Sequence, residues 1–171
     1  MVSDVLLKRT KMRVAGFVDD SVVDGPGVRR VVFLQGCRHN CPGCHNPSTH
    51  SVVGGQEMTC FEVFQRLTRG NVSKSVTLSG GDPLYQPYAT TLLLAALRQE
   101  GYSTWVYTGY TWERLLQDPG RMQPVMCADV LVDGPFVQEL QSRTAKFRGS
   151  TNQRIIDVKE SLRLGEVVEI Y

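Results

Sequence analysis

Three cysteines stand within eight residues in the run Cys37-Arg-His-Asn-Cys41-Pro-Gly-Cys44-His45-Asn-Pro47. Thiolates are soft ligands, so one short segment carrying three of them can deliver them to zinc or to an iron–sulfur centre. Glycine, proline and asparagine lie among the thiols and Gly36 precedes them, a composition that breaks both helical and strand periodicity and reads as a loop. Three chemistries fit such a loop. Cys41-Pro-Gly-Cys44-His45 matches the pattern of c-type haem attachment, but Cys37 is then superfluous and no export signal is visible. A zinc tetrahedron of three cysteines with His39, His45 or His50 is the structural alternative. Structural zinc usually draws on two separated pairs of ligands, however, and Cys60 and Cys127 stand alone. The third reading is an iron–sulfur cluster held by three protein thiolates. It leaves one metal position open, as catalytic metal sites do and structural ones do not.

The loop must be placed by something rigid. Arg29-Arg-Val-Val-Phe-Leu-Gln35 immediately precedes it, and the four apolar residues Val31 to Leu34 suit a parallel strand covered on both faces. Further along, Lys11 to Val18, Ser75 to Leu78, Ser103 to Tyr107, Ala128 to Val132, Arg154 to Val158 and Glu166 to Ile170 read as strands. Thr59-Cys-Phe-Glu62 fits a capping box, opening a helix that runs to about Arg69 and stops at Gly70. Tyr88 to Gln99 is the clearest helix, and Thr111 begins a short one that the turn Asp118-Pro119-Gly120 ends. Phe136 to Gln141 is read as another short helix, the cysteine loop as running on to Gly54-Gly55, and residues 1–10 as a loose leader. Alternating strands and helices predict an α/β fold with a largely parallel sheet. Four consecutive strands end in special sequences: the cysteine loop, Ser79-Gly-Gly-Asp-Pro83, Tyr107-Thr-Gly109 and Asp133-Gly-Pro135. Functional loops of such sheets gather at the carboxyl ends of the strands, so the four are expected at one rim as one site.

Composition narrows the classes further. At 171 residues, 42% hydrophobic and 21% charged, the chain is expected to be one globular domain over 1–171. Nineteen basic residues against seventeen acidic give +2, with no basic run of the kind nucleic acid or anionic membrane selects. The longest apolar run, Leu92 to Leu97, is far short of the ~20 residues that span a bilayer. With no signal peptide visible, a cytoplasmic location is expected. In a reducing compartment, clustered cysteines point to metal or catalysis before disulfides.

With these residues in view, the chain resembles the radical S-adenosylmethionine enzymes, whose hallmark is this three-cysteine spacing after a first strand. Asp24-Gly-Pro-Gly-Val28, Gln35-Gly-Cys37, Cys44-His-Asn-Pro47 and Ser79-Gly-Gly-Asp-Pro-Leu84 are similar to motifs of the activating enzymes of glycyl-radical proteins. Val106-Tyr-Thr-Gly-Tyr110, Leu131-Val-Asp-Gly134, Phe136-Val-Gln138 and Phe147-Arg-Gly-Ser-Thr-Asn-Gln153 resemble the members that act on anaerobic ribonucleoside-triphosphate reductase. The resemblance spans about residues 12 to 158.

It implies an incomplete β/α barrel, with Cys37, Cys41 and Cys44 holding one 4Fe–4S cluster whose open iron is chelated by S-adenosylmethionine. Reductive cleavage would give a 5′-deoxyadenosyl radical, which takes hydrogen from a glycine in the reductase's glycyl-radical subunit. A low-potential donor such as flavodoxin would supply the electron. Gly43 would keep the loop thin beside the cofactor and His45 would offer a ring to the adenine. Gly80 and Gly81 would let backbone approach the methionyl group, with the Asp82 carboxylate nearby. Asp133 sits where related activases place an acid near the methionyl carboxylate, often through a cation. Those relatives have an aspartate one strand earlier, where this chain has Tyr107. Asp133 is equally readable as a cap of the next helix. An isolated Gly-Gly-Asp would make Asp82 a cap of the strand-to-helix turn, a reading that the cysteine loop beside it disfavours. Arg143, Lys146, Arg148 and Arg154 could receive the glycine loop or form a solvated basic surface, and Cys60 and Cys127 read as packing residues. Activation of another glycyl-radical enzyme, such as pyruvate formate-lyase, and a non-enzymatic zinc module are the alternatives.

Overall fold

The computed structural model describes residues 2–171. Seven strands build one sheet: β1 (Lys11–Ser21), β2 (Arg29–Leu34), β3 (Gln56–Thr59), β4 (Ser75–Gly80), β5 (Ser103–Tyr107), β6 (Val130–Asp133) and β7 (Arg154–Asp157). Their order is β3-β1-β2-β4-β5-β6-β7. The four central strands β2, β4, β5 and β6 run parallel. β1 runs antiparallel to both β2 and β3, and β7 antiparallel to β6. The sheet is open, with β3 and β7 at its edges.

Period-two alternation decides which side chain meets which layer. Val32, Leu34, Val76, Leu78, Val106, Leu131 and Ile156 face the main core together with helices α2 (Cys60–Thr68), α3 (Pro87–Gln99) and α5 (Pro119–Cys127). Their neighbours Trp105, Val130, Val132 and Ile155 form a second cluster with Tyr107 and Phe147. Central strands are thus apolar on both sides, which is why Val31 to Leu34 is an unbroken run. The predicted capping box is present: Thr59 and Glu62 satisfy each other's backbone N–H groups at the start of α2, and Gly70 follows the helix at φ +70°. α3 begins with Pro87 and buries Leu93, Leu94 and Leu97.

Several expectations are corrected. The predicted leader contains a helix, α1 (Asp4–Arg9), capped by Ser3 and anchored by the buried Leu7; Met1 lies outside the described residues. Directly after Gly54-Gly55, where the cysteine loop is expected to end, the structure adds a strand that the sequence reading leaves unassigned: β3, whose four residues pair with β1. Asp118-Pro119-Gly120 does not merely end the helix α4 (Trp112–Leu115). The Asp118 carboxylate accepts the Arg121 N–H and Pro119 takes the first helical position, so the same residues open α5. Phe136 to Gln141 holds only a 3-10 turn, Gln138–Leu140. At the end of the chain Asp157 caps α6 (Val158–Leu164), and the strand expected over 166–170 is reduced to one bridge between Glu169 and Ile156.

Candidate functional site

The carboxyl ends of β2, β4, β5 and β6 lie side by side and surround a cavity of about 300 Å³. Cys37, Cys41 and Cys44 line it from the loop after β2, and Ser79, Gly80 and Gly81 from β4. Tyr107, Thr108 and Gly109 follow from β5, Gly134 and Phe136 from β6, and the turn 147–149 closes the ring. The rim expected from the four strand ends therefore exists as one cavity.

The cysteine loop is pinned at its root. The Gly36 N–H donates to the Thr49 carbonyl (2.7 Å) and the Cys37 N–H to His50 (3.2 Å). Gln35 ties the returning chain with two further bonds, to Ser48 and Ser51. Between the thiols the backbone turns through positive φ at Asn40 and Gly43, which curls the loop so that all three half-buried cysteines reach the cavity. Burial pushes the Cys37 thiol up, and the Asp82 charge adds to this. Among the described residues no three His, Cys, Asp or Glu side chains converge on a single ion position. A cluster does not require that focus, since its thiolates bind separate irons. Three thiols spread around one cavity wall fit such a group.

The two glycines of Ser79-Gly-Gly-Asp-Pro83 are demanded by contact. A Cβ on Gly80 would lie 2.5 Å from the Leu34 nitrogen, and one on Gly81 would lie 2.5 Å from the Gly36 carbonyl oxygen. Strand β4 is pressed against the root of the cysteine loop, which leaves bare backbone facing the cavity. His45 also lines it. Its ring lies 4.8 Å from Phe136 at 49°, and its Nε2 is 3.2 Å from the Gln141 amide. Gly43 is placed otherwise: a side chain there would meet Gln138, so the thin loop serves the 3-10 turn behind it.

Asp82 and Asp133 lie behind the lining. Asp82, 2% exposed, caps the 3-10 turn Pro83–Tyr85 by accepting the Leu84 N–H (2.8 Å). It also accepts from the Thr108 hydroxyl and the Gly109 N–H, and contacts His39 Nε2 at 2.6 Å. One carboxylate therefore joins the ends of β4 and β5 to the cysteine loop. Asp133, 1% exposed, accepts the Trp112 N–H (2.7 Å) and both Nε and Nη2 of Arg154 (3.0 and 2.5 Å). It caps α4 rather than the chain that follows it. Arg154 also grips Glu113, and the two carboxylates hold its guanidinium strongly protonated.

Sequence reasoning leaves four contributors unassigned: His39 as a partner of Asp82, and Tyr107, Phe147 and Gln153. The Tyr107 hydroxyl, held well above the usual phenolic range by burial, donates to the Phe147 carbonyl (2.6 Å). Phe147 adopts φ +58°. Of the four basic residues singled out, Arg148 lines the cavity and Arg154 is paired, while Arg143 and Lys146 are exposed.

Comparisons with known proteins agree with this geometry. The family described as a 4Fe-4S single cluster domain matches residues 23–156. The chain is 39% identical over 140 residues to the anaerobic ribonucleoside-triphosphate reductase-activating protein of Escherichia coli K12, covering 77% of this chain and 90% of that one. The protein of the same name from Salmonella typhi is 37% identical over 150 residues, with 83% and 96% covered. That of enterobacteria phage T4 is 35% identical over 141 residues, with 78% and 86% covered. Among solved structures, QueE from Escherichia coli shares the fold at a TM-score of 0.54 and 16% identity, over 65% of this chain and 59% of that one.

Proposed function

This chain belongs to the anaerobic ribonucleoside-triphosphate reductase-activating proteins and to the 4Fe-4S single cluster domain family, and from that premise we propose that it installs the glycyl radical on such a reductase. A 4Fe–4S cluster held in the cavity would supply the electron for reductive cleavage of S-adenosylmethionine, and with it the carbon radical that takes hydrogen from the reductase glycine. Cys37, Cys41 and Cys44 would hold three of its irons. The backbone of Gly80 and Gly81 would lie along the methionyl chain, and His45, its ring backed by Phe136, would offer its free side to the adenine. Gly43, Asp82 and Asp133 would act one layer back, as braces for the cysteine loop and for the ends of β4 and β6. The fold is read as an incomplete β/α barrel in one domain over 1–171. A flavodoxin-like donor and the cytoplasm complete the reading; no helix among the described residues is long and apolar enough to cross a membrane.

The observation that carries it is the convergence of three half-buried thiols and the bare Gly80-Gly81 backbone on one cavity. The test is an absorbance spectrum of anaerobically reconstituted protein beside Cys41→Ala. A brown band at roughly 400 nm is expected for the wild type and is lost in the variant. Electron paramagnetic resonance should then show a glycyl radical on the reductase once S-adenosylmethionine and a reductant are added. A colourless protein carrying one zinc per chain would end the reading.

A further inference from the structure

The cavity wall contains one strong cation. Among the described residues, Arg148 is the one lysine or arginine that lines it. Its guanidinium is only partly used: Nη1 donates to the Gln153 carbonyl (2.9 Å), while Nε is shielded from solvent and has no partner. Shielding an N–H of a cation without a hydrogen bond is unfavourable. It leaves the Nε–Nη2 edge of the guanidinium without an acceptor at Nε. The same edge of Arg154 grips the Asp133 carboxylate in this structure, which is the fork geometry that suits a carboxylate. Asp133 and Glu113 are already bound by Arg154 and do not compete for Arg148.

The turn that presents Arg148 is braced from both sides. The residue before it, Phe147, is held in the left-handed region, a strained conformation for a bulky side chain, by the Tyr107 hydroxyl on its carbonyl. On the other side the Gln153 side chain accepts the Gly149 and Ser150 N–H groups and donates to the Gly134 carbonyl. Strain that surrounding bonds over-determine is found at ligand clamps. Here it fixes the one cation of the wall.

We infer that Arg148 binds the α-carboxylate of S-adenosylmethionine through its Nε–Nη2 edge. The inference rests on the proposed function, which gives the cavity that ligand. Because Nε is shielded, seating the carboxylate turns the side chain toward the cavity, with Nη1 staying on Gln153. Arg148 is thus a binding residue for the amino-acid end of the ligand and contributes nothing to the adenosine end.

Two probes separate those ends in the cluster-loaded protein. S-Adenosylhomocysteine carries the carboxylate, and 5′-methylthioadenosine keeps the adenosine and sulfur without it. By calorimetry, Arg148→Gln should weaken S-adenosylhomocysteine about tenfold or more and leave 5′-methylthioadenosine unchanged. Arg148→Lys, which keeps the charge and loses the fork, should fall between. Equal weakening of both probes would make Arg148 a packing residue, and no change in either would also overturn the assignment. If the glutamine variant does not hold its cluster, the lysine variant decides, since the assignment requires it to lose affinity for the homocysteine probe alone. Wild-type protein that holds its cluster and binds neither probe would overturn the proposed function itself.

Discussion

A methyl group on Gly81 would meet the carbonyl of Gly36, the residue from which the cysteine loop departs, and one on Gly80 would strike Leu34 in a backbone already at φ +103°. Neither obstacle is a flexible side chain, so the main chain itself must move. Gly81→Ala is expected to lower stability by about 2 kcal/mol in urea titrations and to reduce the iron retained after reconstitution. Gly16→Ala is the control: nothing lies within 4 Å of that position, and the change should stay within about 0.5 kcal/mol. Equal behaviour of the two variants would remove the contact argument. The cysteines separate on similar grounds. Cys60 is fully buried and its thiol is pushed up to about 11 by burial, whereas the three on the loop are partly exposed. Thiolate is the reactive form, so iodoacetamide at mildly alkaline pH should label the loop cysteines of the folded, cluster-free protein, with Cys37, whose thiol is pushed up by burial, reacting more slowly. Cys60 should stay unlabelled until the protein is denatured. Early labelling of Cys60, read by peptide mass spectrometry, would contradict the packing assigned to α2.

Arg154, the first residue of β7, ties that strand to the end of β6 through Asp133 and to α4 through Glu113. Asp133→Asn keeps an acceptor for the Trp112 N–H but removes the charge that the guanidinium grips, and should lower stability by about 2 kcal/mol. Glu113→Gln should matter far less, about 0.5 kcal/mol, because its carboxylate is 59% exposed. The Glu113 carboxyl is held below its usual range by the hydrogen bond from Arg154. Its small contribution is therefore complete above the ordinary carboxylate range and is lost as pH falls through the lowered value. Urea midpoints of wild type and Glu113→Gln should accordingly converge at acid pH, and a gap that widened there would contradict the pairing. Elements of this kind are only partly legible in the sequence. The capping box, the run Val31 to Leu34 and the leucines of α3 advertise themselves because local chemistry and burial agree. Asp118-Pro119-Gly120 does not, since aspartate before proline serves a turn and a helix start equally well. β3 and the bridge at Glu169 depend on which edge is free to pair, which no local pattern encodes. The site divides in the same way. Cysteine spacing and the glycine pair are written in the chain, but the hydrogen bond on the carbonyl of the left-handed Phe147 comes from Tyr107, forty residues away. The reach of Asp82 to His39 is likewise a product of the assembled rim.

At the scale of the whole molecule, the sheet buries its helical face well and leaves its functional rim exposed. Val23 lines the cavity and is itself 71% exposed, and Val22 beside it is 66% exposed, so the cavity wall reaches the surface there. Arg143 and Lys146 are exposed at the base of the turn that carries Arg148. Among the described residues the wall is open at that point, and a primary carbon radical formed in this cavity would need water excluded and one donor hydrogen within reach. The reductase segment carrying the glycine would then close the site that it enters, and an apolar rim is the surface such a segment would cover. Hydrogen exchange resolves this by region. On adding the reductase and S-adenosylmethionine, amides over 22–28 and 142–149 should gain protection, while those of α3, already inside a packed helix, should not change. Protection confined to the surface of α2 and α5 would mean that the reductase docks on the helical face and that the rim is closed in some other way. No change anywhere, under conditions where the glycyl radical still forms, would mean that the encounter is too brief to cover the cavity. The chain would then have to shield its radical by moving its own 22–28 and 142–149 segments.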